Sequence, residues 1–189
     1  GDSTMSSVLK VDEIQNTDGK TGLVITPDGS IDGIKFPEEA NPSGRTITST
    51  TINSFEEGTY TVDITANTGS ITLSSLAQDL SYVKIGNLVH LHGRLDVESV
   101  SSPTTRLEFT LPFKSAANVS GESNYTAGVV YINYSKSLTP GDFALLINQN
   151  ATTGRLYKSN DESLSSGGAN AQQLQAGSII YISVHYLAA

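Results

Sequence analysis

The chain has 189 residues, of which only 16% are charged, and its formal net charge is −8 at pH 7. An acidic surface repels phosphate backbones and anionic membrane surfaces, so we do not expect nucleic-acid binding. No run approaches the roughly eighteen apolar residues that a membrane helix needs, so we expect no membrane insertion. The sequence contains no cysteine, which excludes disulfides and thiolate metal sites, and its many Gly, Ser, Thr and Asn residues are typical of short strands joined by turns.

The first part of the chain is punctuated by turn signals. Residues 1–4 precede Met5 and are interpreted as the remnant of an expression tag. Residues 5–50 contain the pairs Asp18-Gly19, Asp28-Gly29 and Asp32-Gly33, and Asp-Gly favours turns because Gly accepts positive φ. The apolar runs between them are too short to build a core. A flexible linker is one interpretation; we favour a shaft whose strands bury apolar residues against two other copies of the chain.

The next segment marks a domain boundary. Residues 40–50 combine Pro, Gly and a Ser/Thr cluster, so we place a head domain at residues 51–189. Residues 59–65 alternate apolar and polar side chains, which predicts a half-buried strand, and residues 70–74 form another short run.

A β-hairpin is the strongest local prediction. Apolar-rich runs at residues 82–85 and 88–97 are separated by Gly86-Asn87, a pair that tolerates positive φ at both positions of a two-residue turn. A third run, residues 106–111, is closed by Pro112, which cannot donate a ladder hydrogen bond.

Further strands are predicted at residues 127–134, 143–149, 155–158 and 178–187. In the last of these both faces are largely apolar, which predicts a central strand covered on both sides. The intervening residues 98–105, 114–126 and 160–177 are predicted as polar loops. The fold class is therefore all-β, with an antiparallel jelly-roll-type β-sandwich head.

Three segments in this order resemble a known family: GTYT at residues 58–61, YVKIGNLVHLHGRL at residues 82–95 and LPF at residues 111–113. The pattern resembles the C-terminal receptor-binding head domain of bacteriophage tail or head fibre proteins, and VLKVDEIQ at residues 8–15 resembles the start of phage structural proteins. The resemblance implies a homotrimeric virion fibre that contacts other virion proteins through its N-terminal segment and recognises a host surface glycan.

No motif predicts catalysis. The sequence has no Gly-x-Ser-x-Gly elbow, and its carboxylates are scattered, so we expect no enzyme and no cofactor. Two alternatives to a receptor-binding fibre stay open: a capsid-attached structural or decoration fibre, and a glycan depolymerase or esterase.

Metal binding has one candidate pair. Strand alternation puts His90 and His92 on the same face, and three such pairs around a trimer axis would offer six imidazole nitrogens to a divalent metal. We favour the simpler interpretation, two surface histidines and no metal.

The glycan site is predicted from polar loops that carry an aromatic ring. A sugar needs an aromatic face for its C–H groups and amides or guanidinium groups for its hydroxyls. Tyr131 and Tyr134 are further candidates, but tyrosines on alternating strands also pack in a sandwich or at a subunit interface. The predicted glycan-binding residues are Tyr125, Asn148, Asn150, Arg155 and Tyr157.

Overall fold

The structure is a computed structural model, and it describes residues 13–15, 21–25, 31–35, 51–52, 54–117, 126–136, 143–160, 163–165 and 171–189. The chain divides into two compact units, Gly1–Phe55 and Glu56–Ala189. The predicted boundary between residues 50 and 51 stays a prediction. Among the described residues no helix is long and apolar enough to cross a membrane.

The regular elements are almost all strands, and their bounds are as follows: β1 Glu13–Gln15, β2 Thr21–Ile25, β3 Ile31–Lys35, β4 Thr51–Ile52, β5 Phe55–Thr61, β6 Ile64–Leu73, β7 Asp79–Ile85, β8 Leu88–Thr110, β9 Thr126–Asn133, β10 Phe143–Ile147, β11 Thr153–Asn160, β12 Ser163–Ser165, a 3₁₀ turn Ala171–Gln173, and β13 Ile179–Leu187.

The first unit is a small antiparallel sheet in the order β1-β2-β3-β4. Its strands are two to five residues long, as the Asp-Gly spacing predicted. Asp32-Gly33 is an exception, because it lies inside β3 and is not a turn. Ile34 and Ile52 face each other across β3 and β4, and both side chains are exposed within the chain.

The second unit is organised around a closed five-stranded barrel. Every pairing is antiparallel: β8 with β13, β13 with β9, β9 with β10, β10 with β11, and β11 back to β8. The neighbouring strand β7 pairs with β8 and with β5, while β6 pairs with β8 alone. The strand pairing establishes this barrel. The predicted jelly-roll sandwich stays a prediction.

Strand β8 closes the barrel from both sides because it bends back on itself. Its first part pairs with β13 and its last part with β11, and alternating antiparallel neighbours make these two parts run in opposite directions. The reversal lies where φ is positive at Ser102 and Thr105, and opposite Gly69 of β6, whose φ is 76°. Residues 98–105, predicted as a loop, are therefore part of a bent two-stranded ribbon formed by β6 and β8.

The core fills the barrel with alternate side chains of its strands. Val89, Leu91 and Leu95 of β8 face inward with Ile180, Ile182 and Val184 of β13. The inward face of β13 is buried as predicted, but Tyr181, His185 and Leu187 on its other face are exposed within the single chain. The expectation that β13 is covered on both sides is thus met on one side only.

The hairpin predicted at Gly86-Asn87 is confirmed. Ile85 pairs with Leu88, and Tyr82 pairs with Leu91, so the turn contains two residues. Of the two turn residues, Gly86 has a positive φ of 57°, and Asn87 does not have positive φ. This geometry is that of a type II′ turn, in which the first position requires glycine.

Candidate functional site

At one end of the barrel, hydrogen bonds between the Ser115 hydroxyl and backbone groups connect several segments of the chain. The buried Ser115 hydroxyl donates to the carbonyl of Asn148 at 2.6 Å, and the Ala151 N–H donates to the Ser115 oxygen at 2.8 Å. Ser115 also forms an isolated antiparallel β-bridge with Ala188. The Ala188 N–H donates a hydrogen bond to the carbonyl of Asn87. The C-terminus, the β7–β8 turn and the β10–β11 loop therefore meet at this end, which we call the Asn148 end.

The chain enters the second unit on the same side. Strand β5 runs along β7, with the Thr61 hydroxyl on the Asp79 carboxylate and the Tyr82 ring over Gly58. Glu56 accepts a 2.5 Å hydrogen bond from the Tyr82 hydroxyl, which raises the pKa of Tyr82. Because β7 ends at the Gly86 turn, the first residues of the unit lie toward the Asn148 end.

The sequence-predicted site residues do not form one cluster. Asn148 and Asn150 lie in the turn between β10 and β11, and Asn150 has φ 54° with its N–H donating to Ala116. Arg155 and Tyr157 lie further along β11 on its outward face. Tyr125 lies outside the described residues. The described part of this set thus divides between a turn and a strand.

Arg155 has neighbours that sequence reasoning missed. It is paired with Glu108 of β8, and its Nε lies 2.9 Å from Glu108 Oε1. Arg106 Nε lies 3.1 Å from the same oxygen. Two guanidinium groups therefore share one carboxylate, which leaves a local positive charge on an acidic chain. The sequence does not predict the contact between Arg155 and Glu108, which are 47 positions apart, because it depends on the bend of β8.

The opposite end of the barrel carries an open cleft of about 440 Å³. It lies between the bend of β8 and the segments after β9 and before β13, and it is lined by Val100, Ser102, Pro103, Thr104, Lys136 and Gln172. We call this end the Lys136 end. The lining residues include two with hydroxyls, one with an amine and one with an amide, together with the apolar Pro103 and Val100, so the cleft offers groups that can exchange hydrogen bonds with a polyhydroxylated ligand.

The wall of this cleft is fixed by backbone hydrogen bonds. The Lys136 N–H donates to the carbonyl of Gln173 at 2.7 Å. The Tyr134 carbonyl accepts hydrogen bonds from the Ser178 hydroxyl and from the Gln175 amide. The Tyr134 ring, two residues before Lys136, is 64% exposed. Tyr134 is not among the residues that line the cleft, so its exposed side chain is close to the cleft in sequence only.

The three histidines of the chain lie on one sheet face. His90 and His92 have ring centroids 5.5 Å apart, and His185 is the cross-strand partner of His90. Within the described residues no group of three or more His, Cys, Asp or Glu side chains is placed to hold a metal. The predicted absence of a metal stays a prediction, and a metal held by His90 and His92 between copies of the chain stays the alternative to it.

Besides Tyr82, two tyrosines that are more buried have raised pKa values. Burial raises the pKa of Tyr186 to about 12, and burial together with the nearby Tyr186 raises that of Tyr60. The Tyr186 hydroxyl donates to the carbonyl of Phe113 at 2.8 Å, and the Tyr60 hydroxyl donates to that of Thr110. Both groups therefore tie core side chains to backbone and do not line the cleft.

Comparison with known proteins gives a likeness of fold. The crystal structure of the Dettilon tailspike protein (gp208) matches 70% of this chain with a TM-score of 0.59 and 19% sequence identity. The match covers 23% of the tailspike chain, so the chain spans less than a quarter of that protein. No family model and no curated protein matches the chain. At this identity the comparison establishes a shared all-β fold.

Proposed function

We propose that the chain is a homotrimeric virion fibre protein whose head, of jelly-roll type, recognises a host cell-surface glycan without catalysis. The observation that carries the proposal is the fold shared with part of a phage tailspike, together with an open polar cleft at one end of the barrel. The N-terminal segment would attach the fibre to other virion proteins of the tail or capsid.

The position of the cleft supports its role in recognition. A fibre meets its receptor with the end remote from its attachment, and loops at that end vary without disturbing the barrel. Glu56, the first residue of the second unit, lies toward the Asn148 end, whereas the cleft lies at the Lys136 end. We therefore place recognition first at Lys136 and Gln172. The second candidate location is Arg155, which contacts the Glu108 carboxylate, together with Tyr157 on the same strand.

The first unit supports an oligomer. Its sheet exposes Ile34 and Ile52 side by side, and a sheet this small cannot cover them itself. Copies of the chain that packed these residues together would form the shaft, and closed symmetric assemblies are the common outcome for homo-oligomers.

The two other functions differ in what they predict. A decoration fibre would bind the virion and ignore host cells. A depolymerase or esterase would release reducing sugar or acyl groups from host polysaccharide. The proposal predicts that labelled protein binds host cells but not non-host cells, that free host polysaccharide competes, and that no reducing sugar is released.

A matched pair of variants tests the location. In the first, Lys136→Ala and Gln172→Ala are combined; in the second, Asn150→Ala, Arg155→Ala and Tyr157→Ala are combined. Each lost hydrogen bond costs about 0.5–1.5 kcal/mol per site, and three linked sites multiply the effect, so we expect the cleft variant to weaken cell binding by about tenfold or more. The second variant should bind as the wild type does. The reverse result would move the site to β11, and undiminished binding by both variants would contradict both locations.

A further inference from the structure

One outer sheet face of the barrel is rich in exposed apolar side chains. Strands β7, β8, β13 and β9 are adjacent and turn their outward residues to the same side, because directly paired residues share a face. Six large apolar or aromatic side chains on this face are at least 41% exposed: Ile85, Leu88, Val129, Tyr131, Tyr181 and Leu187. In the described part of the second unit, Leu76 and Tyr134 are the other exposed side chains of this kind. We call this surface the histidine face, because it also carries the three histidines.

The rows of the histidine face are continuous across the strands. Tyr131 pairs with Tyr181, and their ring centroids are 6.1 Å apart. Tyr181 in turn pairs with Arg94 of β8. Val129, 72% exposed, sits one row further on, opposite Ser183. The exposed apolar side chains therefore form two groups on one face: Val129, Tyr131 and Tyr181 make up the first, and Ile85, Leu88 and Leu187 make up the second beside the Gly86 turn. The cross-strand pairs Ser183–His92 and His185–His90 lie between the two groups. Several large apolar side chains exposed on one face are the usual sign of an interaction surface.

The charge of the histidine face differs from that of the chain. Among the outward residues of 81–85, 88–96, 127–133 and 179–187, only Arg94 and Asp96 carry a formal charge. They bind each other through two hydrogen bonds of 2.6 Å, so the face is neutral while the chain carries −8. Two copies of an acidic chain repel each other least where the contacting surface has no net charge. This face meets that condition.

Strand β13 points to the same conclusion. Its sequence is apolar on both sides, as is typical of a strand covered twice, yet the single chain covers only Ile180, Ile182, Val184 and Tyr186. We propose that the histidine face is the interface between copies of this chain, so that a second copy supplies the missing cover. The proposal rests on the homo-oligomer of the proposed function and assigns its contact surface on the head.

Because the chain contains no cysteine, a single introduced cysteine is the only thiol that can be labelled, and its labelling rate tests the proposed interface in the full chain. Val129→Cys places one thiol on the histidine face, and Thr72→Cys, on an exposed position of β6, is the matched control. The core of an interface excludes water, so we expect maleimide to label Cys at 129 about tenfold or more slowly than Cys at 72 in the oligomer. Adding Tyr131→Glu to the Val129→Cys variant should restore fast labelling, and adding Thr72→Glu should not.

Light scattering of the unlabelled protein separates the two proposals. A wild-type mass of one 19.9 kDa chain at micromolar concentration would overturn both the oligomer and its interface. An oligomer in which positions 129 and 72 are labelled equally fast would overturn this inference alone, because the copies would then be joined by another surface. Slow labelling that Tyr131→Glu abolishes supports the histidine face.

Discussion

At the scale of single residues, the β7–β8 turn depends on one glycine. Gly86 has φ 57°, and no atom lies close to the Cβ that a side chain would add, so strain and not a clash opposes substitution. We expect Gly86→Val to lower the free energy of unfolding by about 1–2 kcal/mol, the cost of forcing a non-glycine residue into left-handed geometry. Asn87→Val is the control and should cost less, because Asn87 does not have positive φ. Denaturant unfolding of both variants measures the difference, and equal losses would contradict the type II′ assignment.

Two buried hydroxyls make the fold sensitive to alkali. The folded pKa of Tyr186 is about 12, above the ordinary value of 10 for tyrosine, and that of Tyr60 is raised as well. A group with a raised folded pKa contributes its stability fully below the unfolded value and loses it as pH rises through the folded value. We therefore expect the contribution of these two tyrosines to the free energy of unfolding to be constant below about pH 10 and to decrease as the pH rises above it.

Tyr186→Phe checks this explanation. The variant loses the hydrogen bond to Phe113, which costs about 1 kcal/mol at neutral pH, but it has no hydroxyl to ionise at that position. Its stability should fall less steeply above pH 10 than that of the wild type. An equally steep fall would mean that other groups govern the alkaline transition.

At the scale of elements, local pattern predicted the strands that are held by neighbours close in sequence or by the core. The Gly-Asn turn predicted β7 and β8, and a run with apolar residues on both faces predicted β13. Residues 98–105 were predicted as a loop because they are polar and contain Pro103. They join a ribbon with β6 through irregular pairing, including a hydrogen bond between the hydroxyls of Thr68 and Thr104. Such pairing has no apolar periodicity, so nothing in the sequence signals it.

The candidate site was harder to predict for the same reason. The cleft unites residues 100–104 with Lys136 and Gln172, which only the bend of β8 brings together. A search for polar residues next to tyrosines predicts Arg155 and Tyr157 as site residues. It does not predict that Arg155 and Arg106 contact the same carboxylate of Glu108.

The ribbon bend makes a prediction for Gly69. A Cβ at this position would overlap the carbonyl oxygens of Ser101 and Ser102, and its φ of 76° is also unfavourable for other residues. We expect Gly69→Ala to destabilise the fold by at least about 1–2 kcal/mol and to displace the wall of the cleft. Ser70→Ala, at an exposed neighbouring position, is the matched control and should be close to neutral. Thermal unfolding compares them, and a neutral Gly69→Ala would contradict the described bend.

At the scale of the whole molecule, the two units differ in whether their own residues cover their apolar side chains. The second unit encloses a core of fully buried side chains, including Leu95, Leu107 and Phe109. In the first unit, Ile34 and Ile52 are exposed in the chain by itself. The first unit thus needs other copies more than the second does, and a fragment of residues 51–189 should fold alone.

That fragment also separates recognition from attachment. It keeps the cleft at Lys136 and Gln172 and the histidine face, and it lacks the N-terminal segment that would contact other virion proteins. We expect it to unfold cooperatively, to associate through the histidine face, and to bind host cells as the full chain does. If the fragment is folded and oligomeric but no longer binds cells that the full chain binds, recognition resides in residues 5–50. If neither protein binds host cells while the full chain binds virions, the molecule is a decoration fibre, and the proposed receptor function is wrong.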